Sequence, residues 1–233
     1  MRVDAAGRVI LALDTDDAAQ VDAWLAQWPE LRWVKVGLQL FVRQGPQLVR
    51  DLRERGLRVF LDLKLHDIPN TVAHAVAAAA DTGADLLTVH ALGGRAMLEA
   101  AADARDRSGG DLRLLAVTVL TAHDDAAWAE LGMGDSIDRS VERLAELARF
   151  SGIDGLVCSP LEVARLRQQH PDALLVTPGV RLQGQAAGDQ RRVATPGGTL
   201  AAGADLLVVG RALTAAENPA QAWRDLVADI DGS

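Results

Sequence analysis

Short runs of apolar and β-branched residues recur along the chain and alternate with longer stretches that have helical spacing. The runs are VILAL from position 9, WVKVGL from 33, VFLDL from 59, DLLTVHA from 85, LRLLAVTVL from 112, GLVCS from 155, LLVTPGV from 174 and LLVVG from 206. Between 138 and 150, by contrast, Val141, Leu144, Leu147 and Ala148 share one helical face. Near-continuous apolar runs are typical of strands buried on both faces, so eight of them alternating with helices predict a closed (β/α)8 TIM barrel.

No linker interrupts this alternation, so we expect one catalytic domain over residues 1–233. The length of 233 residues lies within the range of roughly 200 to 250 that one α/β barrel occupies. The largest irregular stretch, VRLQGQAAGDQRR from 180, follows the seventh strand and would lie at the C-terminal mouth of the barrel. It is either a mobile flap over a site or a solvated connection.

Composition narrows the classes of function. A net charge of −8 argues against a nucleic-acid partner or an anionic membrane surface, because both require a basic patch. A small anionic ligand held by a few local cations remains compatible with that charge. The run VILAL near the start is too short for a signal peptide or a membrane span, so we expect a cytoplasmic protein. The single cysteine, Cys158, lies in an apolar run and reads as a buried packing residue.

Charged residues occupy a stretch that otherwise reads as a strand running into a helix. The segment FLDLKLHDIPNT, residues 60–71, contains Asp62, Lys64 and Asp67. Placing an ion in an apolar interior is unfavourable by several kcal/mol unless it is paired, so such charges are usually retained for chemistry. Strand alternation would point Asp62 and Lys64 into the barrel together, and Pro69 suits the first helical turn, near which Asp67 would be held.

Further polar residues fall at the same ends of neighbouring strands. Asp14 follows the first strand, Lys35 lies in the second, His90 ends the fourth and Thr121 ends the fifth. Two acids and two lysines are neutral together, so they can be buried as a network. This network is either a structural ion cluster or a site, and its placement at the ends of several strands favours a site.

Two histidines near this rim, His66 and His90, raise the question of a metal. Histidine together with aspartate on barrel strands can bind a divalent ion. Lys35 and Lys64 would stand beside that ion and repel it. We therefore expect a structural role for both histidines and no metal.

A second signal lies near the end of the chain, in TPGVR at 177–181, GDQ at 188–190 and VVGRAL at 208–213. Loops after the seventh and eighth strands of such barrels frequently bind phosphate through backbone amides at a glycine and through a guanidinium group. Gly210 and Arg211 fit this pattern. A turn with a surface arginine is the alternative, but a position after the last strand favours the phosphate site.

With these residues assembled, the chain resembles the orotidine 5'-phosphate decarboxylases, which form uridine 5'-monophosphate in pyrimidine biosynthesis. The resemblance covers LALD with Asp14, KVGLQLF with Lys35, DLKLHDIPNT, VTVLT with Thr121, TPGVR, GDQRRVATP and GADLLVVGRAL. The D-x-K-x-x-D element followed by I-P-N-T is its most specific part. Gln39 departs from the family, in which glutamate is common there, and we expect it to affect packing near the second strand.

The resemblance implies a set of catalytic roles. Lys64 would be the proton donor beside the reacting carbon, and Asp62 would stand beside the substrate's carboxylate. Lys35 and Asp67 would complete the charge network. Asp67 and Thr71 would reach into the neighbouring subunit's site, which implies a homodimer with shared active sites.

It also implies the substrate contacts and the absence of a cofactor. Asp14 and Lys35 would contact the ribose, and Thr121 the pyrimidine edge. The phosphate end would consist of Arg181, Gln190, Gly210 and Arg211, with Gln183 as an additional candidate. Because the sequence has no Gly-rich dinucleotide loop, the developing negative charge would be met by the fixed cation of Lys64.

Two other hypotheses about function compete with the decarboxylase interpretation. A keto-gulonate-phosphate decarboxylase or hexulose-phosphate synthase also resembles D-x-K-x-x-D, but these enzymes use magnesium and need an acidic ligand on the second strand, where this chain has Lys35. The second alternative is a catalytically silent nucleotide-binding or scaffold protein with the same barrel fold. The intact set of Asp62, Lys64 and Asp67 argues against it.

Overall fold

A computed structural model describes residues 5–180 and 194–232. Eight parallel strands close into a barrel in chain order, which confirms the predicted (β/α)8 fold. The strands are β1 (Val9–Ala12), β2 (Trp33–Gly37), β3 (Arg58–Leu65), β4 (Leu86–His90), β5 (Arg113–Val117), β6 (Gly155–Val157), β7 (Leu174–Pro178) and β8 (Leu206–Val209). Seven of the eight lie wholly within the apolar runs of the sequence, and β3 extends beyond its run by one residue at the start and two at the end.

The helices surround the barrel and connect consecutive strands. They are α1 (Ala18–Gln27), α2 (Leu38–Gln44), α3 (Pro46–Glu54), α4 (Pro69–Ala80), α5 (Gly94–Ser108), α6 (Asp125–Glu130), α7 (Ile137–Phe150), α8 (Val163–Gln169), α9 (Pro196–Ala201), α10 (Arg211–Thr214) and α11 (Pro219–Asp231). Short 3-10 turns occupy Ala5–Gly7 and Ala91–Gly93. None of the helices in the described ranges is long and apolar enough to cross a membrane.

Two apolar layers hold the barrel together. The larger layer lies between strands and helices, and the smaller one fills the barrel interior. Trp33 on β2 and Phe60 on β3 belong to the interior layer. Lys35 and Asp62 come two residues later on the same strands, so strand alternation places them in the same inward-facing rows, nearer the mouth. The interior therefore has an apolar floor and a charged upper layer.

A Gly-x-Asp triplet precedes three of the strands and ties each to the strand before it. The triplets are 83–85, 152–154 and 203–205, and their glycines have φ of 79°, 81° and 112°, which favours glycine. The carboxylates of Asp85, Asp154 and Asp205 accept the N–H of Val59, Leu114 and Leu175, and pair with Arg53, Arg105 and Arg167. Each of these aspartates also donates its own N–H to the carbonyl of the same strand residue.

Cys158 is buried, and its Sγ lies 3.8 Å from the Oγ1 of Thr177. Burial raises the pKa of the Cys158 thiol to about 12, and the charge of Glu162 acts in the same direction. The thiolate, which is the nucleophilic form, is therefore disfavoured. The prediction of a buried packing residue is confirmed.

Candidate active site

Four charged side chains, from β2, β3 and the segment after β1, form a continuous line at the barrel mouth. Lys35 Nζ lies 3.0 Å from Asp14 Oδ1 and 3.5 Å from Asp62 Oδ2. Lys64 Nζ lies 2.8 Å from Asp62 Oδ1. The order is Asp14, Lys35, Asp62 and Lys64, so the charges alternate and sum to zero. The predicted network therefore exists, and within one chain its fourth member is Asp14.

The four side chains of this network differ in their exposure to solvent. The side chains of Lys35 and Asp62 are 12% and 13% exposed, whereas that of Lys64 is 33% exposed. Asp14, two residues beyond the end of β1, is mostly exposed. Lys64 is therefore the more accessible of the two ammonium groups. Asp62 is the buried carboxylate that both of them share.

The electrostatics favour the charged form of each buried member. Burial alone would raise the pKa of Asp62, but the charges of Lys35 and Lys64 and hydrogen bonds from Lys64 and Thr88 hold it below its ordinary value. Burial would lower the pKa of Lys35, and the carboxylates of Asp62 and Asp14 outweigh that effect and raise it. The pair at the centre of the network, Lys35 and Asp62, is therefore held in its charged form.

The backbone at Lys64 departs from a regular strand. Lys64 has φ of 49°, the only positive φ of a non-glycine residue in the described ranges. For such a residue the left-handed region is unfavourable by about 1–2 kcal/mol. The β3–β4 register also shifts between Leu61 and Leu65. The side chains of Asp62 and Lys64 do lie together, as predicted, with Lys64 Nζ 2.8 Å from Asp62 Oδ1.

Asp67 lies outside the network of its own chain, and the expectation that it completes a neighbouring subunit's network stays a prediction. Its carboxylate accepts the N–H of Ile68 at 2.7 Å, and its side chain is exposed. No ion pair joins it to Lys35 or Lys64 among the described residues. The reason is geometric: Asp67 follows the end of β3, and the chain there turns into α4, which begins at Pro69 as predicted. Thr71, in the first turn of α4, is also exposed.

The substrate-contact candidates lie around the same rim or outside the described residues. Thr121 lies in the connection after β5, four residues beyond the end of that strand at Val117, so the prediction that it ends the strand was wrong. Gly210 precedes the short helix α10, where an added Cβ would lie 3.5 Å from the Cβ of Ala12 and 3.7 Å from Asp14 Oδ2. Arg211 begins α10 and is exposed.

Three candidates of the phosphate end, Arg181, Gln183 and Gln190, fall outside the described residues. So does the irregular stretch that contains them, apart from its first residue. Gln39 lies on α2 and is exposed, so the expected effect on packing near β2 is not found.

The two histidines stack on each other beside Lys64. The rings of His66 and His90 have centroids 5.4 Å apart and an interplanar angle of 24°. Burial lowers the pKa of His90 to about 4, and the charges of His66, Lys64 and His123 contribute. Within the part of the chain that is described, no three His, Cys, Asp or Glu side chains are grouped to hold a metal ion.

The chain that forms this site is similar to proteins of a known family. The model of the "Orotidine 5'-phosphate decarboxylase / HUMPS family" matches residues 7–226. The chain belongs to this family. It is an enzyme of the carboxy-lyase class.

Individual members of the family are similar over nearly their whole length. The orotidine 5'-phosphate decarboxylase of Halorhodospira halophila is 53% identical over 99% of this chain and 98% of the relative. That of Parasynechococcus marenigrum is 49% identical over 98% of this chain and 96% of the relative. The crystal structure of the Lactobacillus acidophilus enzyme superimposes with a TM-score of 0.83 at 37% identity, covering 96% of this chain and 98% of that one.

Two residues of this decarboxylase-family site were missed by the sequence reasoning. Thr88 on β4 is fully buried, and its Oγ1 bonds to Asp62 and to the backbone of Lys64. Gly37 ends β2, and a Cβ there would lie 3.2 Å from Lys35 Nζ, so a side chain would crowd that ammonium group. The available signal was alternation: Thr88 shares the inward row of β4 with His90, and Gly37 that of β2 with Lys35.

The use of lysine in this family member is also informative. The chain has 22 arginines and two lysines, and both lysines, Lys35 and Lys64, lie in the network. Arginine holds its proton at any physiological pH, whereas a lysine ammonium can give one up. The network therefore contains both of the side-chain ammonium groups in the sequence.

Proposed function

We propose that this chain decarboxylates orotidine 5'-monophosphate to uridine 5'-monophosphate in pyrimidine biosynthesis, with no cofactor and no metal. The observation that carries the proposal is the ammonium of Lys64, held 2.8 Å from Asp62 Oδ1 at the mouth of a barrel of this family. The named relatives are orotidine 5'-phosphate decarboxylases.

Lys64 meets the charge that forms when carbon dioxide leaves. Cleavage of the bond to the carboxylate leaves its electron pair on the ring carbon, as a carbanion. A fixed ammonium 4 Å from a unit negative charge stabilises it by about 4 kcal/mol at an effective dielectric near 20. The same ammonium then transfers a proton to that carbon, which gives the product.

Asp62 and Lys35 set the conditions for that step. Asp62 stands beside the substrate carboxylate, where like charges repel each other until carbon dioxide leaves. This contribution is secondary to that of Lys64. Lys35 keeps Asp62 ionised, and with Asp14 it contacts the ribose.

The other contacts hold the parts of the substrate that do not react. Thr121 contacts the pyrimidine edge, and the phosphate is held by the set Arg181, Gln190, Gly210 and Arg211, with Gln183 as a further candidate. Binding energy from the phosphate aligns the ring, so the loss of these contacts lowers turnover as well as affinity.

The working unit is a cytoplasmic homodimer of one catalytic domain per chain, residues 1–233. Asp67 and Thr71 lie outside their own chain's network and are exposed, which suits groups that complete a neighbour's site. Between them, Ile68 is 66% exposed, an apolar side chain that a partner would cover. Residues from two copies then form each site.

The main competing activity is a magnesium-dependent reaction on a sugar phosphate, within the same family description. Such a site needs an acidic metal ligand on β2. Lys35 occupies that strand, with its ammonium 3.5 Å from Asp62 Oδ2, and a divalent cation there would be repelled.

The test is to mix the purified protein with orotidine 5'-monophosphate and follow the loss of the orotate ultraviolet band. We expect decarboxylation at the same rate with and without a chelator such as EDTA. A rate that disappears with EDTA and returns with magnesium would favour the competing activity. No consumption of substrate would favour a silent binding protein.

The role of Lys64 is tested by Lys64→Ala. We expect a folded protein that still binds uridine 5'-monophosphate and has lost nearly all decarboxylation. Retention of more than about a tenth of the rate, a barrier change of only ~1.4 kcal/mol, contradicts the role. Lys64→Arg is the matched control for charge: it keeps a cation but cannot readily give up its proton, so we expect it to be nearly as inactive.

A further inference from the structure

We propose that Thr88 is a positioning residue for this reaction, because its buried hydroxyl joins the backbone of Lys64 to the carboxylate of Asp62 and so fixes both groups. The inference rests on the proposed function and adds to it a residue from β4.

The shifted register between β3 and β4 places Thr88 opposite the irregular part of β3. Leu61 is paired with Leu87, and the next pair along the strands is Leu65 with Val89. Residues 62–64 on β3 therefore stand opposite Thr88 alone. In a regular parallel ladder, backbone carbonyls accept the N–H groups of the neighbouring strand. Here the N–H of Lys64 donates to Thr88 Oγ1 at 2.8 Å.

The direction of the remaining bond follows from counting protons. A threonine hydroxyl has one proton to donate and can accept through its oxygen. Because the oxygen of Thr88 accepts the N–H of Lys64, its proton is directed to Asp62 Oδ1, 3.0 Å away. Lys64 Nζ donates to the same Oδ1 at 2.8 Å. The three residues thus form a closed ring of hydrogen bonds.

This ring supports the irregular backbone of Lys64. At φ of 49° the residue is held in a conformation that lysine rarely adopts, and such conformations persist only where the surroundings determine them. Thr88 has no exposed surface, so water cannot easily replace its hydroxyl. An apolar side chain at 88 would leave the N–H of Lys64 and one bond to Asp62 unsatisfied.

Loss of the Thr88 hydroxyl should affect turnover more than substrate binding. Lys64 and Asp62 act on the reacting carbon and its carboxylate, whereas the proposed contacts to phosphate and ribose come from other strands. Losing the Thr88 hydroxyl therefore misaligns the reacting groups and leaves most of the binding contacts in place. The change is expected in kcat, with little change in KM.

The experiment compares Thr88→Val with Thr88→Ser. Valine keeps the shape and removes the hydroxyl, and we expect kcat to fall at least about tenfold with KM within about threefold. Serine keeps the hydroxyl, and we expect kcat within about threefold of wild type. Affinity for uridine 5'-monophosphate is expected to remain within about threefold in both variants.

The matched control is Thr82→Val. Thr82 is buried between α4 and β4, at the opposite end of the β4 strand, and its hydroxyl donates to the carbonyl of Ala79 at 2.6 Å. The same substitution there removes a buried hydrogen bond without touching the network, so kcat is expected to be unchanged. A kcat of Thr88→Val within about threefold of wild type, or an equal loss in the serine variant, would overturn the proposal.

A second measurement does not depend on activity. Hydrogen exchange at the Lys64 amide should be at least about tenfold faster in Thr88→Val than in wild type, and near wild type in Thr88→Ser. If the valine variant does not fold, Thr88→Cys replaces it, because a thiol is similar in size and a weak hydrogen-bonding group. Unchanged exchange would overturn the positioning role. A wild-type protein inactive on orotidine 5'-monophosphate would instead overturn the proposed function.

Discussion

At the residue scale, His90 is a titratable group kept neutral beside a cation. Its Nδ1 is buried and has no hydrogen-bond partner in the described part of the chain. Burial, together with the charges of His66, Lys64 and His123, lowers its pKa from 6.5 to about 4. A neutral imidazole adds no positive charge next to Lys64. The site therefore keeps its balance of two carboxylates and two ammonium groups.

This shift predicts a loss of stability in mild acid. Above about pH 6.5 His90 is neutral in both the folded and the unfolded state. As the pH falls from about 6.5 to about 4, the unfolded state binds a proton that the folded state does not, so the free energy of unfolding decreases. Urea titrations of His90→Gln should show a smaller decrease over that range than wild type.

The comparison variant for that experiment is His74→Gln, at an exposed position on α4. It should follow the wild-type dependence on pH. An identical dependence in wild type and His90→Gln would show that His90 does not carry the effect.

Single residues also mark the limit of what the sequence could predict. Asp62 and Lys64 were predictable because charges interrupt an apolar strand. For Thr88, strand alternation indicates an inward-facing position in the row of His90, but it does not indicate the bonds to Asp62 and Lys64, because these arise from the shifted β3–β4 register. Asp67 was assigned to the network only through the family resemblance, and within its own chain its carboxylate accepts the N–H of Ile68 at the turn into α4.

At the scale of elements, the Gly-x-Asp triplets fix the lower ends of paired strands. Asp154 shows how one does so: its carboxylate holds the N–H of Leu114 at 2.8 Å and pairs with Arg105, which is 14% exposed. One carboxylate therefore holds a backbone N–H and is also one of two acidic partners of a largely buried cation. This arrangement lies at the end of the barrel away from the network.

Asp154→Ala is expected to destabilise the protein by about 1–3 kcal/mol, because it leaves that N–H and the guanidinium without this partner. Asp106→Ala is the matched control: Asp106 pairs with the same Arg105 but is 67% exposed, so its loss should change stability by at most about 1 kcal/mol. Both variants should keep the wild-type kcat. Equal changes in the free energy of unfolding for the two variants, measured with urea, would argue against the role of Asp154 in holding the end of β5.

The elements themselves were largely predictable, because buried parallel strands read as apolar runs. The eight strands were found from their apolar runs, and the helix expected from 138 by its periodicity is α7, which begins at Ile137. The errors lie at strand ends: β5 stops at Val117, although apolar residues continue to Leu120. Apolar residues pack equally well in a strand and in the buried loop after it, so hydrophobicity alone does not locate that boundary.

At the scale of the whole molecule, the proposed dimer predicts that two defective chains can restore one site. A Lys64→Ala chain still offers Asp67 to its partner, and an Asp67→Ala chain still offers Lys64. Random mixing makes half of the dimers mixed, and each mixed dimer has one intact site of its two, so we expect about a quarter of wild-type activity. The measurement is decarboxylation after the chains are unfolded and refolded together.

The control mixture pairs Lys64→Ala with a chain that carries both Lys64→Ala and Asp67→Ala. No dimer in that mixture contains an intact site, so activity should stay at the level of Lys64→Ala alone. If the first mixture forms mixed dimers and still recovers nothing, Asp67 serves its own chain or none.

The confinement of lysine to the network has a practical consequence for chemical probing. Apart from the terminal amine, the only primary amines of the chain are the two at the barrel mouth, and Lys64 is the more exposed of them. An amine-reactive aldehyde or ester therefore has its side-chain targets only in the network, besides the terminal amine. Mass spectrometry of the labelled peptides could then report a ligand bound at the barrel mouth as reduced labelling of Lys64, with no engineered tag needed.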